Sequence, residues 1–408
     1  MSQTTVNRVG VMDLKTVIGY VTIVLSIIWK PTTVWFLHFD SGQRLSTFFV
    51  LLSFFAFFNE VTKVAIRKHV WLMVFVAIWS FINALIKQSV LIETNGLWSL
   101  IYVLLITIMV FLITLLMLER NFRTTLQLIS ISLFIYSLLT VFFFTGINDE
   151  GGRLVTEHIN SNEVAFYCAI GYGTLLFRFS LGYIKRIALL SLIVPAYVTL
   201  STGSRMGLGM ILIITICFVY SRLNTRNISS ILLFILGIVL FFFAGSKILQ
   251  NTVGGQRLLD MENDIDRLSS LSTGTVFDSF GDRGLMYYYS WPLFVEHPIS
   301  GIGLHNFKTY GIFGETRLHT EYAVQYVENG LLGFIPFICF LFLLIVGLVK
   351  TIKNSPPGGT KMPSVTLLGL LLSVVYANFM LWSFDMICVF MVYAISYVYP
   401  RSQRIKRL

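Results

Sequence analysis

Three segments carry side chains that could do chemistry in an otherwise apolar chain. The first is Leu200-Ser201-Thr202-Gly203-Ser204-Arg205-Met206-Gly207, a polar hairpin between two short apolar runs. Charge at membrane depth is costly and marks a functional position by default. The small residues beside Arg205 let the backbone bend and offer N–H groups to an anion. The competing reading is an interfacial arginine that snorkels to lipid headgroups. The second segment is Gly281-Asp282-Arg283-Gly284, ahead of an aromatic stretch. A guanidinium fork binds two phosphate oxygens at once, so Arg283 is a phosphate candidate. The alternative is an ion pair with Asp282. The third is Arg317-Leu318-His319-Thr320-Glu321-Tyr322. A histidine titrates near neutrality and can take a proton from a hydroxyl. Tyr322, three residues after His319, shares its helix face. Glu321 lies about 200° away around a helix, and Glu328 falls near the His319 face. A surface or structurally bonded histidine is the alternative, and His158, His297 and His305 compete on the same side. Asp385, in Trp382-Ser383-Phe384-Asp385-Met386, is the acid of the last two apolar runs. It either caps a helix at a short turn or pairs one of the arginines or the histidine.

The elements that must position these residues follow from composition. The chain has 408 residues, 56% of them hydrophobic and 12% charged, and a mean hydropathy of +0.78. Soluble domains carry about 25% charged residues. With 36 Phe, 18 Tyr and only 20 acids, the chain cannot cover a water-facing surface. It reads as an all-α integral membrane protein. A barrel would alternate polarity over ~10-residue segments, whereas these runs are continuous and of a length to cross ~30 Å of hydrocarbon. The net charge of +10 does not point to nucleic acid, because membrane proteins collect Lys and Arg on cytoplasmic loops. Cys168, Cys217, Cys339 and Cys388 all lie in apolar runs, where cysteine acts as a small hydrophobe. The first apolar run has no small-residue cleavage site after it and reads as a first transmembrane helix.

Twelve spans are expected, near 14–30, 45–58, 70–86, 97–118, 125–145, 164–182, 187–200, 206–220, 228–244, 330–349, 364–383 and 386–399. Loop charge sets their sidedness. With the N-terminus inside, every inside segment holds at least two positive charges, from Arg8 and Lys15 to Arg401, Arg404, Lys406 and Arg407. The short outside segments hold Lys30, Arg44, Lys87, Arg153 and Arg205. That bias places the basic tail in the cytoplasm. The division expected is 1–244 with nine spans, an exoplasmic loop over 245–329, and 330–408 with three spans and the tail.

The long connection is not a linker, because it is rich in aromatic residues such as Tyr287, Trp291, Phe294 and Phe307, which disordered segments lack. It predicts an amphipathic helix over 257–271, a second helix over 284–296, a turn at Pro298-Ile299-Ser300-Gly301-Ile302-Gly303, and a third helix running from near Glu315 into the tenth span. Long ordered loops are usually functional. No internal repeat supports a transporter built from repeated halves. No His/Cys/Asp/Glu cluster has metal-ligand spacing, no glycine-rich nucleotide loop follows a strand, and neither a metal nor a cofactor is expected.

These features in this order resemble the O-antigen polymerase and ligase superfamily (Wzy and WaaL proteins). The residues that carry the resemblance are Thr202-Gly203-Ser204-Arg205, Gly281-Asp282-Arg283 followed by Trp291 and the Pro298–Gly303 turn, and His319 leading to Glu328-Asn329-Gly330-Leu331-Leu332-Gly333. The stretch from Gly151-Gly152-Arg153 to Asn162 is also similar to polymerase members. One departure is Thr320, where the family often has asparagine after the histidine. The resemblance implies a metal-independent glycosyltransferase acting on a glycan carried by a polyprenyl diphosphate at the outer face of the bacterial cytoplasmic membrane. It implies Arg205 and Arg283 on the diphosphate and His319 on the acceptor hydroxyl, with Arg317, Tyr322 and Asp385 as further substrate contacts. It further implies lipid-linked sugar substrates, the bilayer, and chain-length regulator and flippase proteins as partners. Polymerase is preferred to ligase. A lipid-linked sugar transporter is the rival of another class, disfavoured by span interiors almost free of charge.

Overall fold

The computed structural model describes residues 13–35, 39–89, 100–144, 161–222, 290–310, 320–355, 361–377 and 387–405, with 92, 97 and 318 singly. Among the described residues there is no β-strand. Apolar runs in lipid must satisfy their backbone groups internally, and a helix does so within one segment. The long helices are α1 (Leu14–Trp35), α2 (Phe39–Ala56), α3 (Phe58–Ala65), α4 (Lys68–Ile86), α5 (Thr107–Arg120), α6 (Phe122–Phe144), α7 (Ser161–Ser180), α8 (Ile193–Ser201), α9 (Arg205–Arg222), α10 (Gly330–Lys353), α11 (Lys361–Ala377) and α12 (Ile387–Ile405).

Each expected span except the ninth overlaps one of these helices, and 228–244 lies outside the described residues. By length and composition, four of the described helices can cross a membrane: α4, α6, α9 and α10. A fifth joins them if α2 and α3 form one span, but these two meet at 86°. The expected 45–58 span therefore ends in a corner at Phe57. Beyond it, α3 buries Val61 and Val64 and leaves Thr62 and Lys63 exposed. The 97–118 span opens with a π-helical turn, Tyr102–Ile106. The 187–200 span opens as a 3₁₀ helix, Arg186–Leu192, with none of its residues buried. Pro195 then sits just past the passage from 3₁₀ to α-helix, in the first turn of α8.

The core is aromatic and aliphatic. Tyr136 of α6 stacks on Tyr167 of α7 with centroids 4.7 Å apart, and Phe111 of α5 meets Phe390 of α12 at 5.7 Å. Small residues set the close approaches, as expected where helices pack in lipid. A side chain on Gly207 of α9 would meet Ala165 of α7, and one on Gly369 of α11 would meet Cys217 of α9.

Helix ends assigned to one side by loop charge do lie together. Arg120 at the end of α5 reaches Asp13 ahead of α1 at 3.8 Å and Glu60 of α3 at 3.4 Å. Arg67, before α4, pairs with Glu119. Tyr397 near the end of α12 meets His69 of α4 with ring centroids 6.2 Å apart. At the opposite end, α4 meets the 298–306 segment, which the sequence placed on the other side.

Candidate functional site

Two glycine-bearing segments interlock at that opposite end. The helix over 290–296 stops, as expected, at Pro298, and the chain turns through Gly301 and Gly303, both at positive φ (+71° and +99°). The N–H of Ile302 donates to the carbonyl of Val327 at 3.0 Å, and that of Gly303 to the carbonyl of Glu328 at 2.9 Å. In return the N–H of Leu331 donates to the carbonyl of Pro298 at 2.8 Å, and that of Leu332 to Ile299 at 3.2 Å. The first N–H groups of a helix have no partner within it. Those of α10 are capped by the turn's backbone.

This corrects one expectation. The helix preceding the tenth span does not continue into it. A helical turn, Glu321–Ala323, passes into a π-helical turn, Val324–Glu328, and the chain breaks at Asn329-Gly330. Gly330 has φ +62°, and a Cβ there would lie 2.5 Å from the Gly301 nitrogen. The turn occupies the space a side chain would need.

Helix α4 clamps the junction. Asn83, 1% exposed, donates through Nδ2 to the carbonyls of Ser300 and Glu328, both at 2.8 Å. Trp79 Nε1 donates to the carbonyl of Asn329 at 2.8 Å. Just past α4, Ser89 Oγ donates to Leu304 O, and Asn306 Nδ2 donates to Lys87 O at 3.0 Å. Every one of these bonds joins a side chain to a backbone carbonyl, so it fixes chain path rather than side-chain chemistry.

A polar column runs beneath. Glu321, Gln325 and Asn329 are all buried. Gln325 Nε2 donates to Glu321 Oε1, and Asn329 Nδ2 donates to Gln325 Oε1 at 3.2 Å. Glu328, also buried, accepts the backbone N–H of His305 at 2.9 Å. π-helical turns are frequent at functional sites.

The Arg205 hairpin is built as the sequence suggested. Gly203 takes φ +63°, Ser204 Oγ accepts the N–H of Gly207 at 3.3 Å as the cap of α9, and Thr202 Oγ1 donates to Thr199 O at 2.7 Å. Arg205 is exposed at the first position of α9. A cation there opposes the helix dipole, so its place is not explained by helix stability. One turn on, a side chain on Gly209 would meet the Tyr376 ring of α11 at 2.6 Å. The neighbouring carbonyl of Val375 accepts a hydrogen bond from Tyr322 Oη at 3.2 Å. Arg205 and Tyr322 thus border the same end of α11. Burial, followed by the Glu321 carboxylate, raises the Tyr322 hydroxyl above the usual tyrosine value, so it stays a donor at neutral pH.

Of the six candidate residues, Arg205 and Tyr322 are placed, and Arg283, Arg317, His319 and Asp385 lie outside the described residues. Of the competing histidines, His305 has φ +61° and bonds Glu328, and His297 ends the 290–296 helix. Sequence reasoning missed Trp79, Asn83 and Gln325. The signal for Asn83 was present, an amide inside an apolar run. Among the described residues no group of three His, Cys, Asp or Glu could hold a metal ion.

Apolar helices packed through small residues and aromatic rings, with polar turns gathered at the ends, define a multi-pass helical membrane protein. Residues 189–338 match the family model described as O-antigen ligase, which supports the O-antigen polymerase and ligase superfamily for this chain. The comparison with curated proteins finds no match.

Proposed function

We propose that the protein polymerises oligosaccharide repeat units carried on polyprenyl diphosphate, at the outer face of the bacterial cytoplasmic membrane. The observation that carries this reading is one of coincidence. The matched segment 189–338 contains the Arg205 hairpin and the interlocked turns, and two of its residues, Gly209 one turn after Arg205 and Tyr322 ahead of the interlock, lie against α11 at Tyr376 and Val375. In this reading twelve spans flank an exoplasmic segment over 245–329.

Arg205 and Arg283 hold the lipid diphosphate. The bond between the anomeric carbon and the diphosphate oxygen breaks, and the electron pair leaves with the diphosphate. Fixed guanidinium groups stabilise that developing charge, and are worth more in a water-poor site. The acceptor hydroxyl oxygen forms the new glycosidic bond, and His319 takes its proton. Arg317, Tyr322 and Asp385 orient the sugars, Tyr322 from the turn that its hydroxyl ties to Val375 of α11. The apolar helices hold the polyprenyl chain, and a flippase and a chain-length regulator act before and alongside the enzyme.

The family's description favours a second reading, ligation of the glycan to a lipid A–core acceptor. Deleting the gene and analysing surface glycans separates the two. Loss of long chains, with one repeat still on the core, supports polymerase. Loss of every repeat from the core, with polymer left on the carrier lipid, supports ligase. An unchanged ladder overturns both.

A further inference from the structure

A second cationic site lies at the end of the bundle away from Arg205. Arg178, in the last turn of α7, is 7% exposed, and its Nε is buried with no hydrogen-bond partner. The last carbonyls of α7 accept backbone N–H groups, and none of them is a partner of Arg178 Nε. Leu181 donates to Phe177 O at 3.1 Å, Gly182 to Phe179 O at 2.9 Å and Tyr183 to Arg178 O at 3.0 Å.

The neighbouring charge is another cation. Phe177 meets Phe122 edge to face at 6.5 Å, so the start of α6, which carries Arg123, packs against the last turns of α7. Arg123 is the charged group that acts on Arg178. It is itself exposed and held 5.2 Å over the Tyr183 ring. Lys185 and Arg186 follow, both exposed. The described acids at this end are engaged elsewhere, Asp13 and Glu60 with Arg120 and Glu119 with Arg67. A buried cation beside a like charge is stable only with a counter-charge.

We propose that Arg178 and Arg123 form a site for an anionic phosphate group, supplied as a phospholipid headgroup or as the free ion. Basic pockets between helices take lipid phosphates in this way. Arg178 provides the desolvated half of the site and Arg123 the open half, through which the headgroup enters along the α6–α7 seam. The inference does not rest on the glycosyltransferase reading.

The test measures thermal unfolding of the purified full-length protein in nanodiscs of phosphatidylglycerol or of phosphatidylcholine. A third arm adds inorganic phosphate to protein in detergent free of anionic lipid. The wild type should unfold at higher temperature in phosphatidylglycerol than in phosphatidylcholine. Arg178→Gln and Arg123→Gln should each lose at least half of that difference, while Lys185→Gln keeps it. A shift by inorganic phosphate alone, lost in the same two variants, supports the site with the free ion as its source. If Arg178→Gln does not accumulate, exposed Arg123→Gln decides. Equal lipid and phosphate responses in wild type and Arg123→Gln overturn the proposal.

Discussion

Gly301 and Gly330 face each other backbone to backbone. A Cβ on Gly301 would lie 2.6 Å from the Gly330 nitrogen, and one on Gly330 2.5 Å from the Gly301 nitrogen. Both residues are at positive φ. Alanine at either position should cost about 1–3 kcal/mol from backbone strain alone, with the overlap in addition. Gly182 is the control. It has φ +73°, but a Cβ there would meet nothing within 4 Å, so Gly182→Ala should cost only about 1–2 kcal/mol. Thermal unfolding in detergent and product-ladder length check both. Wild-type behaviour of Gly330→Ala would remove the interlock from the account.

Asn83 supplies one amide to two carbonyls. Asn83→Leu leaves Glu328 O with the Gly303 N–H but takes the amide from Ser300 O, at roughly 1–3 kcal/mol if that group is left unsatisfied. Asn83→Asp should be worse, because an ionised carboxylate offers no donor and repels both oxygens. The expected readout is lost product with the membrane-inserted level of Asn83→Leu reduced only in part. Equal activity of both variants and wild type would contradict a clamping role.

Much of this was legible in the sequence, and the exceptions have physical causes. Unbroken apolar runs announce α4, α6, α9 and α10, because lipid leaves a helix as the stable choice. Thr202-Gly203-Ser204 announces its own turn and cap. The corner at Phe57 was hidden because Phe54-Phe55-Ala56-Phe57-Phe58 is uniformly apolar and gives no change of period. The break at Asn329-Gly330 carries a local signal, an Asn-Gly pair, but its partner, the turn at 298–303, is distant in sequence and no local pattern names it. The bond that ties Tyr322 to α11 joins residues fifty-three apart in sequence, which no local pattern encodes.

The proposed chemistry makes Arg205→Lys informative. It keeps the charge and loses the fork, so a bidentate contact predicts activity well below wild type. Arg283→Ala should match Arg205→Ala, since both serve one leaving group. His319→Ala should fall by about 10²–10⁴-fold with donor binding unchanged. Turnover and donor binding with purified lipid-linked substrate check these, and a chelator should leave the wild-type rate intact. Full product length from an alanine variant at wild-type level removes that residue from the mechanism.

Tyr322 links the site to pH. Its hydroxyl value is raised by burial and then by Glu321, so the folded chain holds the proton more tightly than the unfolded one. The stability it adds is fully present below the ordinary tyrosine value and is lost as pH rises through the raised one. Tyr322→Phe should therefore unfold more easily at pH 8 by about 1 kcal/mol, with the gap to wild type closing at strongly alkaline pH. A gap that widens there contradicts the assignment.

Sidedness can be read directly. Cysteines introduced within 245–329 should react with an impermeant reagent on intact cells, and those within 401–407 should not. The reverse pattern would invert the topology and place the Arg205 end in the cytoplasm.

The bonds from Asn83 to Ser300 and Glu328 span 217 and 245 residues of chain. During synthesis α4 is made long before its partners exist. At ~5–20 residues per second, its amide waits roughly ten to fifty seconds for the carbonyls it will hold. For that interval a polar group stands unanswered in a helix already in the bilayer. The insertion machinery or a temporary helix neighbour must shelter it, and this end of the bundle closes only when the chain is some four-fifths complete.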